Sequence, residues 1–283
     1  MIQFRSLAAS DESEVIAFLL AHRDTSMFLR SNLSRSGFAY RPEPFYANYT
    51  GAYRNLELVG VAAHCWNGML ILQAPENTGE LVQACVRNSG REVMGFTGPL
   101  EQVRAARKAL GLDGTPAVME DDEGFYGLNL HELVVPEMLR NGTVTVRPPT
   151  PEERDLLCDW RFAYDMETLN SPDAPETRQR STAMLDRQIA DRNAWVAIRD
   201  GQPVSLSAFN AALPDIVQLG GIYTPPELRG RGYARAAVAA SLLAAQERGA
   251  TRAVLFTSNR SAARSYEALG FRRLGDYGLV LLR

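Results

Sequence analysis

Apolar positions along this chain switch between a period of two and a period near 3.6, and the switches occur in the same order twice. Residues 2–7 alternate like a strand. Ser10 then caps a helix whose Val15, Ile16, Leu19 and Leu20 form one apolar stripe, with Asp11 and Glu12 at its positive end. A second short helix is predicted over residues 26–33. Strands follow at 46–53, 56–66 and 69–73, the last two joined by an Asn67-Gly68 hairpin turn. Residues 78–87 and 100–110 read as helices, 92–96 as a strand, and 116–135 as two final strands. The pattern breaks around 136–142, where Asn141-Gly142 signals a turn.

The order then repeats. Residues 143–147 alternate, and Thr150-Pro151-Glu152-Glu153 is a capping box with proline at the first helical position. Its helix carries Leu156, Leu157, Trp160 and Tyr164 on one face. A further helix is expected over 176–191, and strands over 194–199, 203–210 and 216–224, with Asp200-Gly201 turning the first hairpin. A long helix from 232 to 248 ends at Gly249. Strand 253–257, helix 259–269 and terminal strands near 271–274 and 277–282 complete the half. Each half therefore reads β-α-α-β-β-β-α-β-α-β-β, an α/β (α+β) class in which a mixed, largely antiparallel sheet is flanked by helices. No residue-level repeat accompanies the duplication. The domains are placed at residues 1–138 and 142–283.

Length agrees, since 283 residues suit two domains of about 140 each. A formal net charge of −3 offers no electrostatic reason to expect nucleic acid or an anionic membrane as a partner. Cys65, Cys85 and Cys158 have no CxxC spacing, and His22, His64 and His131 are equally scattered, so buried small hydrophobes are expected rather than a metal site. The N-terminal stretch lacks the basic and then apolar character of a signal peptide, and no apolar run reaches membrane-spanning length. A cytoplasmic location is the expectation.

Candidate chemistry is concentrated in Ile222-Tyr-Thr-Pro-Pro-Glu-Leu-Arg-Gly-Arg-Gly-Tyr-Ala234, between a strand and an amphipathic helix. Gly230 and Gly232 let backbone turn tightly and approach a ligand, and the helix start beyond them presents unpaired N–H groups and a positive dipole end. Arg229, Arg231 and Arg235 surround it with charge, which makes a phosphate or pyrophosphate site. No Gly-Lys-Ser/Thr ends the loop, so it is not a Walker A motif. Arg235 stands where a dinucleotide fingerprint needs its third glycine, and no acidic residue lies near the ribose position. A glycine turn among solvated arginines is the competing structural explanation.

These residues resemble the GNAT acyltransferase family. Arg229-Gly-Arg-Gly232-Tyr-Ala234 fits that family's pyrophosphate loop, Gln/Arg-x-x-Gly-x-Gly/Ala, and Asn259-x-x-Ala262-x-x-x-Tyr266-x-x-x-Gly270-Phe271 resembles the helix and strand that close its CoA site. The resemblance covers residues 143–283 and implies acetyl-CoA as co-substrate. By the same resemblance, backbone groups of Ile222, Tyr223 and Thr224 pair with the pantetheine arm, and a strand N–H near Tyr223 meets the oxyanion. Backbone N–H groups of Arg229, Gly230, Arg231, Gly232, Tyr233 and Ala234 hold the pyrophosphate. Asn259 contacts pantetheine and Tyr266 faces the sulfur as general acid. Asn259 and Tyr266 share a helix face, and Ala262 and Ala263 leave that face shallow. Asn259 is equally a natural N-cap, and Tyr266 equally a core aromatic.

Two departures stand out. The fourth strand of this half offers Gln218 where many family members place a Glu base. The resemblance puts the acceptor site near the first helix pair, which makes Glu167 and Asp165, at the end of the first helix, the candidate bases. In the first half, residues 74–80 carry one glycine, two acids and no arginine, while Leu100 and Arg107 occupy the positions of Asn259 and Tyr266. That half reads as a degenerate GNAT-like or accessory domain without a CoA site. The expected activity is N-acetylation of a small-molecule or peptide amine, with no metal, nucleic acid or membrane involved. An acyl-CoA-binding sensor without turnover is the alternative. Sequence alone leaves the oligomeric state unassigned.

Overall fold

A computed structural model describes residues 2–282. In chain order the elements are β1 (Ile2–Ser6), α1 (Glu12–Ala21), α2 (Met27–Ser36), β2 (Ala47–Arg54), β3 (Glu57–Cys65), β4 (Met69–Gln73), α3 (Thr78–Ser89), β5 (Gly95–Pro99), α4 (Leu100–Ala109) and β6 (Ala117–Asn129). There follow α5 (Glu137–Arg140), β7 (Thr145–Arg147), α6 (Arg154–Leu169), α7 (Pro175–Ala190), β8 (Ala194–Arg199) and β9 (Gln202–Ala212). The chain ends with β10 (Ile216–Leu219), α8 (Tyr233–Glu247), β11 (Arg252–Thr257), α9 (Arg260–Glu267) and β12 (Arg272–Leu282).

Contacts divide the chain into residues 1–125 with 275–283, and residues 126–274. The boundary expected at 138–142 thus falls earlier, and the last nine residues belong to the first unit. The physical reason lies in two strands. Residues 116–135 form one 13-residue strand and a short 3₁₀ turn rather than two strands, and the pair expected at 271–282 is one 11-residue strand. Gly275 does not interrupt the second, because its backbone is not left-handed. Each long strand changes unit partway along: β6 after Phe125, β12 after Leu274.

In the first unit the strand order is β1-β2-β3-β4-β5 followed by the end of β12, with β4 and β5 parallel and the remaining pairs antiparallel. The second unit repeats the scheme as β7-β8-β9-β10-β11 with Tyr126–Asn129 of β6 beyond, and β10 and β11 form its parallel pair. Helix α8 covers one sheet face with Val238 and Leu242 fully buried against Val217, Leu219 and Phe209, each such side chain contributing about 1.5–3 kcal/mol. The opposite face packs Leu157 and Trp160 of α6 and Leu185 of α7 against Leu206 and Ala208.

Local signals held in detail at several turns. Thr150 and Glu153 form the capping box, and Asp200-Gly201 turns left-handed (φ 51° and 76°) as a two-residue hairpin requires. Elsewhere they shifted. The N-cap of α1 is Asp11, not Ser10, and its carboxylate accepts from the Ala8 N–H at 2.8 Å. Val15 and Leu19 are buried, but Ile16 and Leu20 face solvent. The three cysteines are free and buried, and burial pushes the Cys65 and Cys85 thiols up to about 12. Among the described residues, no helix is long and apolar enough to cross a membrane, and no cluster of three or more His, Cys, Asp or Glu could hold a metal ion.

Candidate active site

The glycine loop lies in the second unit at the head of α8. Gly230 and Gly232 have φ of 75° and 84°, the left-handed region that side chains with a Cβ avoid. Between them and the helix, the amide N–H groups of residues 230–235 have no partner among the described residues, and the first helical bond runs from Ala236 to the Gly232 carbonyl at 3.2 Å. Tyr233 buries its ring against Ala197 and Val204, which anchors the loop while leaving its amide at the mouth. The arginines divide in role. Arg229 pairs with Glu167 at 2.6 Å and donates to the Thr224 carbonyl at 2.8 Å. Arg231 and Arg235 are exposed, and the Arg235 guanidinium sits 3.2 Å from where a Gly232 Cβ would stand. They place positive charge beside the open amides.

Upstream, the strand expected over 216–224 stops at Leu219. Gly220 and left-handed Gly221 (φ 70°) break it, and Tyr223 rejoins the sheet only through a bridge to Leu206. That bridge corrects the role expected of the Tyr223 backbone. Its N–H donates to the Leu206 carbonyl at 3.0 Å and its C=O accepts from the Leu206 N–H at 2.8 Å, so both groups are occupied. Ile222 and Thr224, one residue either side, direct their N–H groups to the opposite edge of the strand. Neither N–H has a backbone partner among the described residues. The last registered pair of β10 with β11 is Gln218–Val254, while β11 continues to Thr257, so the two strands part beside these donors. Ser205 braces the segment by donating to the Tyr223 carbonyl at 3.0 Å and bonding the Thr224 hydroxyl at 2.8 Å.

Helix α9 brings the second motif. Asn259 is its N-cap: Oδ1 accepts from the Ser261 and Ala262 N–H groups at 2.8 and 3.0 Å, leaving Nδ2 as its remaining donor. Ala262 is half-buried, and Ala263 packs on the core rather than lining an open face. Tyr266 is partly buried, edge-on to Phe271 at 6.0 Å. Burial, with a smaller effect from the nearby Tyr164 phenol, holds its pKa above the ordinary tyrosine value, so it keeps its proton.

Neither expected base is free. Glu167 Oε1 accepts from the Tyr223 hydroxyl at 3.0 Å and Oε2 from Arg229 at 2.6 Å. Asp165 is buried between Arg161, at 3.0 Å, and the Ser181 hydroxyl, at 2.5 Å. Gln218 is buried with Nε2 on the Leu219 carbonyl at 2.7 Å. Arg161 was overlooked because an arginine on a helix reads as surface. The available signal was its place in the apolar stripe of α6, four residues after Leu157 and three before Tyr164.

Among its described residues the first unit has no matching cradle. Gly79 lies inside α3 without a left-handed backbone, and Glu76 pairs with Arg54. Arg107, in the Tyr266 position, is buried with Nη1 on Glu120 at 2.7 Å. Leu100 opens α4 behind Pro99, which has no side-chain acceptor to cap the helix.

Residues 162–271 match the family model described as the acetyltransferase (GNAT) family. No curated protein matches the sequence. Solved structures similar over almost the whole chain include a Drosophila protein, with a TM-score of 0.67 at 12% identity, covering 99% of this chain and 98% of that one. A GCN5-related N-acetyltransferase from Kribbella flavida has a TM-score of 0.59 at 18% identity, over 93% and 95% of the two chains. A tandem GNAT protein from the clavulanic acid biosynthesis pathway has 0.56 at 13% identity, over 99% and 97%. The loop of left-handed glycines before α8, the parted strands and the α9 motif all lie within or beside the matched stretch. Residues 162–271 thus resemble the acetyltransferase (GNAT) family, and the chain as a whole shares its fold with solved GNAT structures, a tandem GNAT protein among them.

Proposed function

We propose that the second unit transfers an acetyl group from acetyl-CoA to an amine. The carrying observation is the run of unpartnered amides from 230 to 235, set between two left-handed glycines and the positive end of α8. Six N–H donors converging beside Arg231 and Arg235 fit a pyrophosphate and have no structural use in the chain itself.

In the reaction, the neutral amine attacks the thioester carbonyl, a C–N bond forms and the C–S bond breaks. The carbonyl oxygen meets N–H donors at Ile222 and Thr224 while it carries negative charge. Tyr266, held protonated by its surroundings, donates toward the departing sulfur. The surplus amine proton leaves to water, since both Glu167 oxygens are engaged, by Arg229 and the Tyr223 hydroxyl. That same pairing favours a second reading, an acyl-CoA sensor without turnover, because no carboxylate stands ready as a base.

Thermal unfolding with millimolar acetyl-CoA tests binding; ligand at 100 times its dissociation constant stabilises by about 2.7 kcal/mol. Release of free CoA on adding amines separates the readings. Stabilisation without CoA release across amino acids, polyamines, aminoglycosides and lysine peptides supports the sensor, and no stabilisation removes both.

A further inference from the structure

Buried side-chain polar atoms without a partner are uncommon in folded proteins, and in the second unit they are not scattered. Among its described residues, every such atom belongs to Arg161, Gln188 or Gln218. Arg161 of α6 is 5% exposed. One arm reaches Asp165, its face lies over the Tyr164 ring at 5.0 Å, and its Nε and Nη1 have no acceptor. Gln188 of α7 and Gln218 of β10 each spend their amide nitrogen on protein oxygens and leave Oε1 unaccepted.

The three sit around one feature, the Gly220-Gly221 break. A Cβ on Gly221 would stand 2.5 Å from Arg161 Nη1, and a Cβ on Gly220 would collide with the Asn210 carboxamide, which lies 3.4 Å from Gln188 Nε2. Val217 and Leu219 point to the α8 face, so Gln218 and Gly220 point to the face covered by α6 and α7. Next in the chain come Ile222 and Thr224, whose amides are the donors proposed above for the thioester. Two unpaired cationic N–H donors and two unpaired carbonyl acceptors thus surround the backbone beside the proposed reaction centre.

We infer that the acetyl acceptor is a small amine bearing a carboxylate, of the free amino-acid class, with the carboxylate on Arg161 and the amine N–H directed to the Gln218 and Gln188 carbonyls. With Nη2 on Asp165, the free Nη1 beside Gly221 offers a carboxylate one charge-assisted hydrogen bond. The glutamines offer acceptors to a nitrogen, which a polyamine would use equally, but only a carboxylate uses Arg161. Exposed Asn210 lays its carboxamide over Gly220 at the edge of this cluster. The inference rests on the acetyltransferase reading, and Arg161 acts in it as a specificity residue.

The test uses the full chain with acetyl-CoA and compares L-amino acids with their α-carboxamides, which keep shape and amine but lose the negative charge. Free acids are expected to exceed their amides in kcat/KM on the order of 10²-fold. Arg161→Gln should narrow that ratio to a few-fold through KM, with the acetyl-CoA thermal shift intact. Arg161→Lys, which keeps a cation beside Asp165, serves if the first variant fails to fold, and should fall between. Amides acetylated as well as acids, or turnover confined to amines without a carboxylate, would overturn the inference and leave the transferase reading standing. Stabilisation by acetyl-CoA with no amino acid acetylated overturns it as well. Failure to bind acetyl-CoA at all removes the underlying reading instead.

Discussion

His64 has no exposed surface, and its ring nitrogens lie 2.7 Å from the Ser89 hydroxyl and 3.1 Å from the Glu92 carbonyl. Burial first, and then Arg91, lower its pKa from 6.5 to about 4. The unfolded chain therefore binds a proton between those values that the folded chain refuses, so stability falls as pH drops from about 6.5 to about 4, by up to about 3 kcal/mol. Glu123 works against it: burial, aided by Asp121, raises its pKa from 4.5 to about 7, so its share of stability grows as pH falls through that window. Urea unfolding of wild type and His64→Asn at pH 7 and 5 isolates the histidine, and equal losses in both proteins would dismiss its role. At the reaction centre, Tyr266→Phe keeps the ring on Phe271 and removes one proton donor. Turnover should fall by about 10²–10⁴-fold with acetyl-CoA affinity nearly unchanged. Near-normal turnover would leave Tyr266 a packing residue. With Glu167 engaged by Arg229 and Tyr223, kcat/KM should climb tenfold per pH unit up to the acceptor amine's own pKa. Glu167→Gln should leave that profile unmoved, whereas a plateau that disappears in the variant would identify Glu167 as the base.

Elements whose signals are short-range were legible: the Asp200-Gly201 turn, the Thr150 box and the glycines before α8 took the backbone their residues demand, while at Asn67-Gly68 only the glycine turned left-handed. What escaped was decided by partners far along the chain. Nothing near Tyr223 says that its N–H is consumed by Leu206, because that depends on the register of β9 against a strand interrupted at Gly220. Likewise the strand expected at 92–96 forms three residues later, at Gly95–Pro99, where it pairs with both β4 and β12. The α8 loop carries its own prediction. Gly232→Val must force a β-branched residue to φ 84°, with its Cβ 3.2 Å from Arg235 and Met138. The variant should fold, since the loop is exposed, yet lose the acetyl-CoA thermal shift. A retained shift would show that the amides of 230–235 do not hold the ligand.

For the molecule as a whole, the absence of left-handed glycines and free arginines from the first unit's loop predicts one acetyl-CoA per chain. Calorimetry giving two equivalents would contradict it. The strand exchange predicts something the duplicated pattern of the sequence hides, namely that the two halves are not separable at residue 138 or 142. Tyr277, Val280 and Leu282 are buried in the first unit, and β12 pairs with β5 from Tyr277 to Leu281. A chain ending at Leu274 should lose several kcal/mol from the first unit, at about 1.5–3 kcal/mol per large apolar side chain. Hydrogen exchange localised to β4 and β5 would show it, and unchanged protection there would mean that the last strand is dispensable.

The final strand also sets an order of events during synthesis. The first unit emerges from the ribosome with a gap beside β5, and the residues that fill it lie about 150 positions further on. At typical elongation rates of about 5–20 residues per second, that gap stays open for roughly 10–30 s, long compared with hairpin formation or collapse. Meanwhile the segment from Tyr126 to Leu274 can close on itself. The half translated first is the half completed last, and its unpaired β5 edge is where nascent chains of this protein are most exposed to mispairing with one another.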